Sequence, residues 1–151
     1  MMAMEDDEVK EWNYVASIDF SQMANANAKS EEYSIQASEI LIIWNDVGNS
    51  STSDSTVPCV LNGENLNIPV CKSGKSGTLL NGYTRIELLK GIGTFFEVSA
   101  GAVSKDNNSP NAGLYVPYNL IPMIDEYKTL QIRQPSTQYF ATSGTLEIYA
   151  R

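Results

Sequence analysis

Histidine is absent from this 151-residue chain. With it go the commonest general base, the commonest metal ligand, and every Ser-His or Cys-His nucleophile pair. Cysteine is scarce: Cys59 and Cys71 are the whole complement, too few for a disulfide framework. Bases are outnumbered, ten Lys and Arg against eighteen Asp and Glu, for a formal net charge of −8. A phosphate-tracking nucleic-acid binder needs a clustered basic face, and docking on anionic lipid needs the same, so neither is expected. No window approaches the ~18 apolar residues of a membrane span, so no membrane insertion is expected. The opening Met1-Met2-Ala3-Met4, followed by Glu5-Asp6-Asp7-Glu8, lacks the basic start and apolar run of a secretory signal. The expectation is a protein made in a reducing cytoplasm, with both thiols free, buried and unreactive.

What is present suits a single domain. Apolar residues make up 42% of the chain, and a globule of this length can bury roughly 68–70% of its unfolded surface. Sixteen Ser, nine Thr and thirteen Asn account for a quarter of the residues, while charged residues account for only 19%. Ser, Thr and Asn are weak helix formers that favour turns and caps, so the composition points to strands joined by polar loops. Residues 1–11 hold five acids and one Lys without apolar periodicity, and are expected to form a flexible acidic arm. The domain proper is expected over residues 12–151.

Alternation of period two recurs along that span. Trp12, Tyr14, Ala16, Ile18 and Phe20 alternate with Asn13, Val15, Ser17 and Asp19. Tyr33, Ile35 and Ala37 alternate again, and residues 39–44 form a continuous apolar run expected to be a central strand buried on both faces. Residues 48–56 read as a mobile polar loop. Residues 57–61 and 66–71 read as a hairpin around Asn62-Gly63, in a register that would set Cys59 opposite Leu66 and Cys71 opposite Asp54. Residues 79–90 and 94–102 form a second hairpin about Gly91-Ile92-Gly93. Residues 105–113 are an Asn-dense loop. Residues 114–124 carry Pro117 and Pro122, so they suit only an edge or a loop. Two further strands, 129–133 and 144–151, close the chain. Eight or nine short strands with regular turn signals mean an all-β fold, a β-sandwich or jelly roll.

Motifs that could carry chemistry fail on context. Gly74-Lys75-Ser76 evokes a phosphate loop, but position 69 is Pro and a strand, not a helix, is expected to follow. Gly91-Ile92-Gly93 lacks a βαβ setting, and Asp106-Asn107-Asn108 lacks the terminal Glu of a calcium loop. Asp125-Glu126 are neighbours, which a strand would point to opposite faces. Trp12 and Trp44 sit among apolar companions and are read as core rather than as sugar platforms. No catalytic residue, cofactor or metal site is expected. Tyr115 and Tyr118, beside Asn107, Asn108 and Asn111 in a charge-free stretch, are the candidates for contact with a glycan or a protein partner.

The final residues, Gly144-Thr145-Leu146-Glu147-Ile148-Tyr149-Ala150-Arg151, follow a short polar turn and end on a strand. In this they resemble small β-sandwich virion proteins of tailed bacteriophages, where a last strand ending Tyr-x-Arg is frequent. The 39–44 strand, the Gly82-Tyr83 step and the Phe95-Phe96 strand after a Gly turn are similar in style. The resemblance spans residues 33–151 loosely. It implies a non-enzymatic structural protein located in the virion: a head fibre, a capsid decoration subunit or a receptor-binding tail-fibre tip. Other virion proteins would be its partners, and a host surface glycan or protein a further one. The alternative is a carbohydrate-binding β-sandwich module using Tyr115, Tyr118 and the 105–113 loop.

Oligomerisation is expected as well. The 12–20 strand carries one charge, Asp19, and an aromatic-rich face, so as a sheet edge it would be poorly protected. Trp12, Tyr14, Ile18 and Phe20 are the candidate subunit interface of a homo-oligomer. The resemblance implies a trimer; the residues themselves give no number. The competing reading makes 12–20 an interior strand of a monomer.

Overall fold

The computed structural model describes residues 11–89, 93–104, 111–115 and 126–151. They form ten strands: β1 (Asn13–Asp19), β2 (Tyr33–Ala37), β3 (Glu39–Asn49), β4 (Ser55–Leu61), β5 (Glu64–Ser73), β6 (Thr78–Leu89), β7 (Gly93–Ser104), β8 (Asn111–Tyr115), β9 (Tyr127–Ile132) and β10 (Ala141–Ala150). A single 3₁₀ turn, Phe20–Gln22, follows β1. Its first residue is preceded by Asp19, whose carboxylate accepts from Ser21 N and caps the turn.

Two antiparallel sheets result, a six-stranded one ordered β1-β10-β3-β6-β7-β8 and a four-stranded one ordered β2-β9-β4-β5. The all-β sandwich expected from period-two patterning is what the chain forms. Between the sheets lies one core, with Ile40, Ile42, Trp44, Ile86, Phe96, Leu146 and Ile148 from the larger sheet facing Val57, Cys59, Leu61, Ile68, Leu130 and Ile132 from the smaller. Leu146, Trp44, Gly82 and Ala100 stand in one row across four strands, so small residues sit beside the largest side chain of the core. Buried polar groups bond across the layers. Thr84 Oγ1 donates to Val70 O at 3.0 Å, and Tyr127 Oη donates to Thr94 Oγ1 at 3.2 Å.

Three local expectations need correction. β3 is not buried on both faces: Ile40, Ile42 and Trp44 are sealed, whereas Glu39, Leu41 and Ile43 are half-buried on the outer side. No layer covers that side among the described residues, so the apolar run reads as one-sided only in the sandwich.

The β4–β5 register holds near the turn, with Leu61 opposite Glu64 and Val60 opposite Asn65, but slips on either side of Pro58. Pro58 faces Pro69, and neither has an N–H to give to the ladder, so the pairing breaks there. Cys71 then lies opposite Val57 rather than Asp54, and Cys59 meets Ile132 on β9. Both thiols are free and buried, as expected.

The third correction concerns β1. Its register against β10 shifts between Tyr14 and Ala16, leaving an extra residue at Val15. A bulge of one residue reverses which side chains face in. Ala16, Ile18 and Phe20 therefore enter the core, while Tyr14 turns outward and is 61% exposed.

The 48–56 segment is partly strand, since β3 runs to Asn49 and β4 begins at Ser55. The exposed residues between are tied down. Buried Asn49 donates to Ser73 Oγ at 2.9 Å and accepts from Ser51 N at 2.8 Å, and Asp54 accepts from Lys75 N at 2.9 Å.

Candidate functional site

Among the described residues, two surfaces carry features beyond packing. One is the flank where the edge strands of both sheets, β1 and β2, lie side by side. A cleft of about 290 Å³ runs between them, lined by Tyr14 and Val15 on one side and Ser34 and Gln36 on the other. Among the described residues β1 bonds to β10 alone, and none of them pairs with the backbone groups of its other edge. Tyr14 packs edge-on against Tyr149, ring centroids 5.9 Å apart, and its hydroxyl bonds to Ser17 Oγ at 2.8 Å. Trp12 is half-buried rather than core: the Arg151 guanidinium lies 4.1 Å from its ring centroid. Arg151 in turn holds Glu39 at 2.9 Å, and Glu39 takes a second bond from Arg85 at 3.2 Å. Of the four residues expected at a subunit interface, Trp12 and Tyr14 are at the surface, whereas Ile18 and Phe20 fill this chain's own core.

The other surface is a groove of about 470 Å³ at the end of β9, where Arg133 and the 134–137 segment meet β4. Its frame is rigid. Gln134, 1% exposed, donates through Nε2 to Ala141 O at 2.8 Å and accepts at Oε1 from Ala141 N at 3.0 Å. Gln134 N donates to Ala28 O at 2.8 Å, and Asn27 N to Pro135 O at 3.1 Å. Opposite Arg133, in an antiparallel bridge, stands Lys29.

The remaining candidates fall out plainly. Tyr118, Asn107 and Asn108 lie outside the described residues, as do Pro117, Pro122 and Asp125. Tyr115 and Asn111 end and begin β8, the outermost strand of the larger sheet beyond β7. Glu126 is exposed and pairs with Lys128 at 3.9 Å. The Gly74-Lys75-Ser76 loop cannot cradle phosphate. Gly74 N donates to Val47 O, Ser76 N to Ser51 O and Thr78 N to Lys75 O, and β6 begins at Thr78 where a helix would be needed.

Burial pushes the Cys59 thiol up to about 12 and raises Cys71 well above its ordinary range, so neither is a nucleophile at neutral pH. Trp44 is core, and its indole N–H has no partner among the described residues. Among the described residues no group of three His, Cys, Asp or Glu could hold a metal ion, and no helix is long and apolar enough to cross a membrane.

Residue-by-residue reading missed the groove. Its one cue is the polar run Gln134-Pro135-Ser136-Thr137 after a strand, and nothing in the sequence places Lys29 against Arg133. No protein-family model matches this sequence, and no curated protein matches it closely enough to count as a relative.

Proposed function

We propose that this chain is a non-enzymatic structural protein of a tailed-phage virion, a head fibre, decoration or tail-fibre component, whose copies meet through the β1 flank. The observation that supports this reading most is β1 itself: a seven-residue strand, paired on one side only among the described residues, that begins directly after Trp12 and turns an exposed Tyr14 outward. Long unpaired edges are hazards that natural proteins shield, cover or pair. Tyr and Trp at such an edge supply contact area with a polar tip, a chemistry suited to interfaces rather than turnover. A second copy, or a neighbouring virion protein, would complete the ladder by strand addition or close around a symmetry axis. Tyr149 and Ala150 of β10, within the stretch that carries the resemblance to virion sandwiches, pair directly with Tyr14 and Asn13 of β1.

Two measurements test it. Mass spectrometry of purified particles should find the protein, and its absence from particles made by the genome that carries its gene would overturn the virion assignment. Light scattering of the isolated protein should show an assembly. A 16.6 kDa monomer at micromolar concentration, unchanged in low salt, would overturn self-association.

A further inference from the structure

The groove at the end of β9 stands independently of any assembly. We infer that it is a binding site for an acidic saccharide, with the Arg133 guanidinium taking the sugar carboxylate. Three observations lead there. First, Arg133, which lines the groove, is directly opposed across an antiparallel bridge by Lys29, which stands beside the lining, and the bridge puts the two side chains on the same face. Like charges so placed are destabilising, yet no carboxylate among the described residues lies within ion-pair distance of either. In a chain where acids outnumber bases eighteen to ten, two adjacent cations with no acid beside them among the described residues form a local excess of positive charge. An incoming anion relieves it.

Second, the site is held in shape before any ligand arrives. Beside the groove, the segment bearing Lys29 is fixed to β9 by Ser30 N donating to Ile132 O at 2.9 Å and Ile132 N donating to Ser30 Oγ at 2.9 Å. Within the lining, Asn27 N donates to Pro135 O, and the Gln134 side chain bonds Ala141 through both of its polar atoms. A rigid frame lowers the ordering cost of binding. A planar guanidinium in such a frame matches a carboxylate with two parallel hydrogen bonds.

Third, the lining is that of a sugar site rather than a peptide site. Around Arg133 it offers the hydroxyls of Thr56, Ser136 and Thr137, the amide of Asn27, and the flat rings of Pro58 and Pro135. It has no aromatic or aliphatic pocket in which a peptide's apolar anchor could sit, and such anchors supply most of a peptide's affinity. Hydroxyls and amides both donate and accept, which matches the alternating donors and acceptors of a sugar ring. The volume, about 470 Å³, falls within the roughly 300–1,000 Å³ of small-ligand sites.

The test is ¹H–¹⁵N NMR titration of the intact chain with digalacturonate and 3′-sialyllactose, using lactose and succinate as controls. Both acidic sugars should shift the amides of Arg133, Ser136 and Thr137. Lactose, which lacks the carboxylate, and succinate, which lacks the hydroxyls, should each bind about tenfold more weakly or not at all. Arg133→Met keeps the stem and removes the charge. Because the guanidinium has no partner among the described residues, this variant should fold as the parent does, shown by an unchanged spectrum away from the groove. It should lose at least about tenfold in affinity for the acidic sugars, with Arg133→Lys in between. Equal binding of lactose, equal binding of succinate, shifts confined to another surface, unchanged affinity in Arg133→Met, or no binding at millimolar sugar would each overturn the inference. None of these results bears on whether the protein is found in particles.

Discussion

Replacing Gly144 by Ala should be among the most damaging single-methyl additions to this protein. Gly144 sits in β10 where the ladder with β3 is irregular, between the pairs Ser143–Gly48 and Thr145–Asn45. Its φ is +96°, a region that L side chains rarely adopt, and occupying it costs about 1–2 kcal/mol. A Cβ would also lie 2.5 Å from Asp46 O, 2.6 Å from Val47 Cα and 2.7 Å from Asp46 C. All three are backbone atoms, so no side chain can swing away.

Nor can Asp46 retreat freely. Its N–H donates to Asn81 Oδ1 at 2.9 Å, and its carboxylate accepts from Asn81 Nδ2 at 3.0 Å. Overpacking of this kind costs about 1–3 kcal/mol, for a combined loss of about 2–5 kcal/mol. At roughly 2–4 °C per kcal/mol for a chain of this length, Tm should fall by about 10 °C. Gly63→Ala separates the two contributions: Gly63 has φ +80° but nothing within 4 Å of its would-be Cβ. Thermal unfolding followed by circular dichroism should give Gly63→Ala a little under half of the Gly144→Ala loss. Equal losses for the two variants would refute the steric half of this reasoning, and no loss in either would refute both halves.

Asn62→Ala should cost about 2–4 kcal/mol by urea unfolding. Asn62 has φ +52° in the β4–β5 turn, its Oδ1 accepts from Lys128 N and Thr129 N at 2.7 and 3.2 Å, and its Nδ2 donates to Glu126 O at 2.9 Å. Asn62→Gly should recover only the conformational part, because it restores φ but not the three bonds. Alkaline pH should destabilise the fold through Cys59 and Tyr127. Burial pushes Cys59 from 9.0 and Tyr127 from 10.0 to about 12, so the folded state holds protons that the unfolded chain releases. Their stabilisation is complete below about pH 8 and is lost between pH 9 and 12, with about 4 kcal/mol of the loss from Cys59. A urea midpoint flat from pH 8 to pH 11 would contradict this. In the same vein, dithiobis-nitrobenzoate at pH 8 should label neither thiol in the native protein and both in urea.

Alternation between polar and apolar residues determined that this protein is made of strands, because a strand presents successive side chains to opposite faces whatever lies around it. The β6–β7 hairpin and the closing strand could be read directly, since turn residues bracket them locally. The burial of Trp44 followed from its apolar neighbours. What a strand faces, however, is not local information. The sequence could not show that none of the described residues forms a layer over the outer side of β3, because Leu41 and Ile43 read the same whether or not a second layer covers them. Nor could it show that Tyr14 leaves the face of Ile18 and Phe20, since the bulge at Val15 exists only in the pairing with β10. The slip at Pro58 likewise needs Pro69 opposite to it. The basic pair beside the groove is the extreme case. Lys29 and Arg133 are more than a hundred positions apart and become neighbours only when the chain before β2 crosses to the end of β9. Periodicity is a property of the backbone's own geometry, so the sequence carries it. Register, layer order and the meeting of distant charges are properties of closure, so only the tertiary structure decided them.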